Sequence, residues 1–367
     1  MIHTLGRIVG FGLVALMAAS GPAAAQKANG DWDALLAKAK TEKVVLTQHG
    51  NDAIPKLIDA FEKKYGITVE QTAARPSRML SRIRTEQKNN LYQWDIWMAA
   101  TSNMTNIASP AGMLQPLDKL LVLPEVKDMS NWRNPTYVYG DKAHGVFTFQ
   151  NSVTRSLFRN TDVAKGIEVK SFDDLLNPAF KGKIAMRDAS RPNAALFVLA
   201  LMQDRKGPEF ATRFIKEMKP TTYEDPLQIF NSLVRGGSAI TIGAREQELS
   251  RCLLDGGCKN IKSLPGFSYV LSWGVSVFKN APHQAAATVF LNWLLSKEGQ
   301  QVFVDSWAEF NKDGAVSMRK DVKPAKGHED SLPDFTNPNE YLWVAHDKEG
   351  DKITSAVETY KKAKGMK

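Results

Sequence analysis

AAATVFLNWLLSKEGQ, residues 285–300, constrains the architecture more tightly than any other stretch of this chain. Val289, Phe290, Trp293 and Leu294 recur at helical spacing and predict a helix over 285–300 with one apolar face. Its polar end, Ser296-Lys297-Glu298-Gly299-Gln300, runs on into Val302 and Phe303. Just upstream, residues 269–278 read as a strand long enough to cross between domains. Further upstream lie the buried-type strand 239–242, the helices 227–234 and 194–203, and the segments 183–186 and 172–176 that open this α/β set. Residues 146–158 form a second long extended stretch.

The amino-terminal half repeats the alternation. A helix at 32–40 and a strand at 44–48 lead into the polar turn Gln48-His49-Gly50-Asn51-Asp52. The next helix carries Ile54, Leu57, Ile58, Phe61 and Tyr65 on one face and stops at Gly66. A strand at 67–72, a helix beginning near Pro76-Ser77 and a strand at 94–98 follow. Such alternation builds mostly parallel sheets. The expected fold is α/β, a two-lobed clamp with two crossing hinge strands. One lobe takes residues 26–146 with 275–318, the other 147–274 with 319–367. Ligands of open α/β sheets sit in crevices outside the carboxyl ends of the strands, and closure of a clamp buries them there.

Residues 1–25 read as a signal peptide. Arg7 supplies the positive region, residues 8–19 an apolar core broken by Gly10 and Gly12, and Ala23-Ala24-Ala25 a cleavage site. Cleavage after Ala25 leaves Gln26 first, and the expected location is the periplasm. The net charge of +9 raises the question of nucleic acid, but export and scattered lysines such as Lys38, Lys40, Lys63, Lys64, Lys216 and Lys219 argue against it. An anionic ligand or attraction to a membrane surface is the better use of that charge. Cys252 and Cys258, an even pair in an oxidising compartment, suggest a disulfide; the alternative is two free thiols. Zinc is not expected, because no further Cys or His stands at ligand spacing.

The run Phe290-x-x-Trp293-Leu294-x-Ser296-x-Glu298-Gly299-Gln300 resembles a helix of the extracellular solute-binding proteins of ABC importers. With Gln48-His49, AFEKKYGITV at 60–69, the Asp95 strand and Pro178-x-x-Lys181-Gly182-Lys183-Ile184, the likeness covers nearly all of the mature chain. It points to family 1, with the layout of the ferric-iron-binding periplasmic proteins. The resemblance implies a monomer without cofactor that binds a small molecule and hands it to an inner-membrane permease with its ATPase. The iron-binding members use a histidine after the first strand, a glutamate after the third and a tyrosine pair in the second lobe. Here His49 holds the first position, Ala99-Ala100-Thr101 follow the third strand, and Ala244-Arg245-Glu246 stand where the tyrosines would be. Ferric iron favours anionic oxygen ligands, so this set argues against it.

A small anionic organic solute fits the matched positions better. Arg75 and Ser77 precede one helix, Ser190, Arg191 and Asn193 open another, and Arg245 follows a strand. Arginine grips carboxylate or phosphate through paired hydrogen bonds, and helix starts add partial positive charge. Each arginine also has a plain reading as a surface residue or one salt-bridged to a neighbour. His49, Thr101, Tyr223, Glu246 and Trp273 complete the candidate cleft set; His49 is as readily a loop hydrogen-bonding residue as a ligand contact. Two alternatives stand beside this reading. Ferric iron held with an exogenous anion keeps the transport role. A secreted enzyme lacks support, since there is no G-x-S-x-G, H-E-x-x-H or P-loop.

Overall fold

In the computed structural model the described residues are 22–49, 51–74, 76–310, 314–344 and 349–366. The positive region and apolar core of the expected signal segment, and Arg75, lie outside them. The elements run α1 (Pro22–Ala39), β1 (Val44–Gln48), α2 (Ala53–Tyr65), β2 (Val69–Ala73), α3 (Pro76–Lys88), β3 (Ile96–Ala100), α4 (Pro124–Lys127), β4 (Phe147–Thr154), β5 (Leu157–Asn160) and α5 (Thr161–Ala164). Then come β6 (Ile184–Arg187), α6 (Ala194–Lys206), α7 (Pro208–Met218), β7 (Thr221–Tyr223), α8 (Pro226–Val234), β8 (Ile240–Ile242), α9 (Glu246–Leu254) and β9 (Ile261–Ser263). The chain ends with β10 (Tyr269–Val277), α10 (Gln284–Leu295), α11 (Lys297–Phe310), β11 (Leu342–Trp343) and α12 (Gly350–Lys364).

Two sheets result. The first has the order β11-β10-β3-β1-β2, with β4 also paired to β10; the second has the order β7-β6-β8-β5-β9. In each, three parallel strands (β2-β1-β3 and β7-β6-β8) are extended by antiparallel ones. Each sheet has its own core. Phe61, Phe290, Trp293 and Phe303 fill the first, Leu196, Phe214, Phe267 and Tyr360 the second. The chain passes between sheets at Arg155-Ser156, where β4 ends and β5 begins. The sequence suggested a division at 146/147, but β4 stays with the first sheet because β10 supplies its hydrogen-bonding partner along the strand. Ala315, Met318 and Val322 also join the first core, whereas Ile353, Ala356 and Tyr360 of α12 join the second.

The 285–300 stretch is not one helix. It breaks at Ser296, whose backbone is extended (φ −68°, ψ 164°) between α10 and α11. The Ser296 hydroxyl donates to the Trp293 carbonyl at 2.7 Å and accepts the Gly299 amide at 3.2 Å, in the manner of a helix cap. A Cβ on Gly299 would lie 1.9 Å from the Trp293 carbonyl oxygen, so only glycine fits this corner. Gln300 then donates to the Leu294 carbonyl at 2.8 Å and accepts from the Ser317 hydroxyl at 2.6 Å. The polar end of the stretch is therefore a corner brace. Nor does α10 have a wet face: every residue from Ala285 to Leu295 is buried, among α1, α11 and β1.

The two cysteines form a disulfide between the last turns of α9 and the approach to β9, with Cα atoms 5.8 Å apart. No helix among the described residues is long and apolar enough to cross a membrane.

Candidate ligand-binding cleft

The second lobe presents a wall of guanidinium groups. Strand β6 ends at Arg187, and β8 ends in a turn at Gly243, whose φ is +96°. A Cβ on Gly243 would sit 2.9 Å from the Cβ atoms of Arg187 and Ala195. The end of β6, the start of α6 and the turn after β8 thus close on one point, where a side chain at 243 is excluded. The turn delivers Arg245 to the first position before α9. Arg187, half-buried, donates from Nε to the Glu224 carbonyl at 3.2 Å and makes no ion pair among the described residues. Burial lowers its pKa, and the positive charges of Arg245 and Arg191 lower it further, against the pull of Glu224 and Asp225. Arg191 pairs with Glu224, both well exposed, and Arg245 Nε lies 3.2 Å from Glu248 Oε1. Burial pushes the Glu248 carboxyl pKa up. Three guanidinium groups thus meet two directly paired carboxylates.

Other expected contacts on this wall serve the scaffold. Asn193 caps α6, its Oδ1 accepting the Ala195 and Leu196 amides at 2.9 and 3.3 Å. Ser190 donates both its amide and its hydroxyl to Asp188. Burial works against the Asp188 carboxylate, but these bonds, the Tyr360 hydroxyl at 3.2 Å and the Arg191 charge outweigh it and hold its pKa below the usual range. Tyr223 stands opposite Arg187 in the β6–β7 register, half-buried against the cluster of Phe230 and Leu249. Glu246 is paired with Arg155, Nη1 to Oε1 at 3.3 Å.

In the first lobe, aromatic groups gather near the ends of β1 and β3, where Trp273 pairs with Ala100. His49 follows β1, and its ring stacks on Trp273 at 6.2 Å between centroids and 22° between planes. Trp273 sits at a register shift in β10 and meets Trp307 edge-on at 5.0 Å. His49 is exposed as a residue, yet desolvation by the crowding protein lowers its pKa. Ser77 lies in the first turn of α3. Thr101 is fully buried and turns away from the cleft: its amide and hydroxyl both point to the Ser272 carbonyl, at 2.9 and 3.4 Å. A cavity of about 820 Å³ separates Asn51, Asp52 and Phe310 of the first lobe from Leu227, Arg245 and Glu248 of the second. Among the described residues, no three His, Cys, Asp or Glu side chains converge as a metal site.

Arg187 and Glu248 were not among the residues the sequence singled out. Arg187 had a usable signal, a lone arginine at the carboxyl end of a strand and just before a capped helix. Glu248 had none, because only the folded chain shows which face of α9 lines the cavity.

Two α/β lobes facing each other across an open cavity, with charged loops at the strand ends, define a solute-capturing clamp. The chain belongs to the bacterial extracellular solute-binding protein family, whose profile matches residues 56–332. It is a solute-binding component of ABC transport. An uncharacterized protein of Haemophilus influenzae is 25% identical over 272 residues, covering 72% of this chain and 76% of its own. Among solved structures, an ABC transporter protein of Clostridium perfringens superposes with a TM-score of 0.66 at 19% identity, covering 88% of this chain and 99% of its own. Iron-bound HitA of Pseudomonas aeruginosa gives a TM-score of 0.63 at 18% identity, covering 88% and 99%. AfuA of Actinobacillus pleuropneumoniae, solved with fructose 6-phosphate, gives 0.61 at 19% identity, covering 87% and 99%. These structural likenesses are likenesses of fold.

Proposed function

We propose that this protein captures a small anionic organic solute between its lobes and delivers it to an inner-membrane permease. Arg187 carries the reading: a half-buried guanidinium, crowded by two others, whose one hydrogen-bond acceptor among the described residues is a backbone carbonyl. A carboxylate or phosphate placed among Arg187, Arg191 and Arg245 would relieve that repulsion and take charge-assisted hydrogen bonds. His49 and Trp273 would cover the organic part from the first lobe, with Tyr223 at the edge. That AfuA shares the fold and was solved with a sugar phosphate supports an organic anion as a class of guest. The role is capture without turnover, after export and cleavage behind Ala25, in the periplasm.

Calorimetric titration against a panel of organic phosphates, carboxylates and cationic amines tests this. Binding confined to anions, weakening as salt rises, is the expected result. Preference for the amines, or conversion of a bound compound, would refute it.

A further inference from the structure

The residue that joins the lobes chemically sits on the chain crossing. Arg155 lies between β4 of the first sheet and β5 of the second, with only 18% of its side chain exposed. One prong of its guanidinium, Nη1, reaches Glu246 Oε1 at 3.3 Å. The other, Nη2, reaches Asp330 Oδ2 at 3.0 Å and the Asp330 carbonyl at 3.1 Å. Glu246 begins α9 and adjoins Arg245 in the second lobe. Asp330 belongs to a turn packed on β4, reached from the segment whose Ala315, Met318 and Val322 lie in the first core. The same crossing holds two further bonds. The Ser156 carbonyl accepts the Gly243 amide at 2.8 Å, and the Ser156 hydroxyl meets the Tyr269 hydroxyl at 2.9 Å. Rotation of one lobe against the other passes through this point, so the fork must move with both lobes or release one.

We propose that Arg155 is a positioning residue that couples the lobes: its two-pronged grip on Glu246 and Asp330 sets the angle at which the second-lobe wall meets the first. A planar guanidinium can hold both partners at once, whereas the point charge of lysine serves one well at a time. The coupling is independent of the ligand. Its consequence for affinity rests on the anion reading, because Glu246 is the neighbour of Arg245.

Pulsed electron resonance distances between nitroxides at Lys63→Cys on α2 and Lys216→Cys on α7, both exposed, report the interlobe angle in ligand-free protein. The native Cys252–Cys258 bridge stays closed. The expected result is a distance distribution at least twice as broad in Arg155→Ala, and a smaller broadening in Asp330→Asn at an unchanged thermal midpoint. Arg155→Lys should recover the midpoint but not the narrow distribution. An unchanged distribution in both Arg155→Ala and Asp330→Asn, or full recovery by lysine, would overturn the proposal. Should Arg155→Ala fail to fold, Asp330→Asn decides, since its carboxylate is largely exposed. The readout needs no ligand, so it can fail while the anion reading stands, and the reverse.

Discussion

The two lobes are built on the same α/β plan and gather different side chains near their strand ends. Both present the ends of parallel strands and the starts of helices. The first lobe stacks rings there, His49 on Trp273 and Trp273 against the buried Trp307. The second lobe gathers guanidinium groups, of which Arg187 makes no ion pair among the described residues. On the proposed reading, the difference divides the work of the clamp: one jaw would supply charge, with long range and strong salt dependence, and the other flat apolar area, with short range and little salt dependence. A ligand that closes the clamp must satisfy both, and closure is favoured only by the affinity it gains from touching both.

That division can be broken one wall at a time. The largest effect is expected from Arg187→Ala. Removing charge-assisted hydrogen bonds worth about 2 kcal/mol should weaken an anionic solute roughly thirtyfold and flatten the salt dependence of binding. Arg245→Ala comes next, at about tenfold, because Glu248 already offsets part of the Arg245 charge. Calorimetry at two salt concentrations separates these from a change in fold. Trp273→Ala should cost about 1 kcal/mol of affinity and leave the salt slope unchanged. Equal affinity in that variant would remove the ring from the site.

The smallest effect is one of pH. His49 has its pKa lowered by desolvation, so it is neutral at pH 7 in the free protein. A bound anion favours the imidazolium form, so binding takes up a proton. Affinity should therefore rise as pH falls below the ordinary imidazole value of about 6.5, by a few-fold at most. His49→Gln should abolish that rise. A rise that survives the substitution would place the titrating group elsewhere.

Much of this was legible in the sequence, for reasons that vary by element. The amphipathic helix α2 with its stop at Gly66 was readable because one face is buried and the other wet. The 285–300 stretch was recognisable, but its break was not: α10 is buried on every side, so periodicity carries no phase, and the Ser296 corner depends on a carbonyl six residues from Gln300. Ser190 and Asn193 were found as polar residues at a helix start, yet type alone cannot tell that their hydrogen bonds are spent on Asp188 and on the cap. Arg155 and Glu246 lie 91 positions apart, and only the folded chain brings them together.

The most direct test of the central claim is native mass spectrometry of the protein taken gently from its own cells, beside an Arg187→Ala/Arg245→Ala double variant. A small solute of net negative charge, bound to the native protein and missing from the variant, is the predicted result. A bound ferric ion or organic cation, or the same solute held equally by the variant, would contradict it.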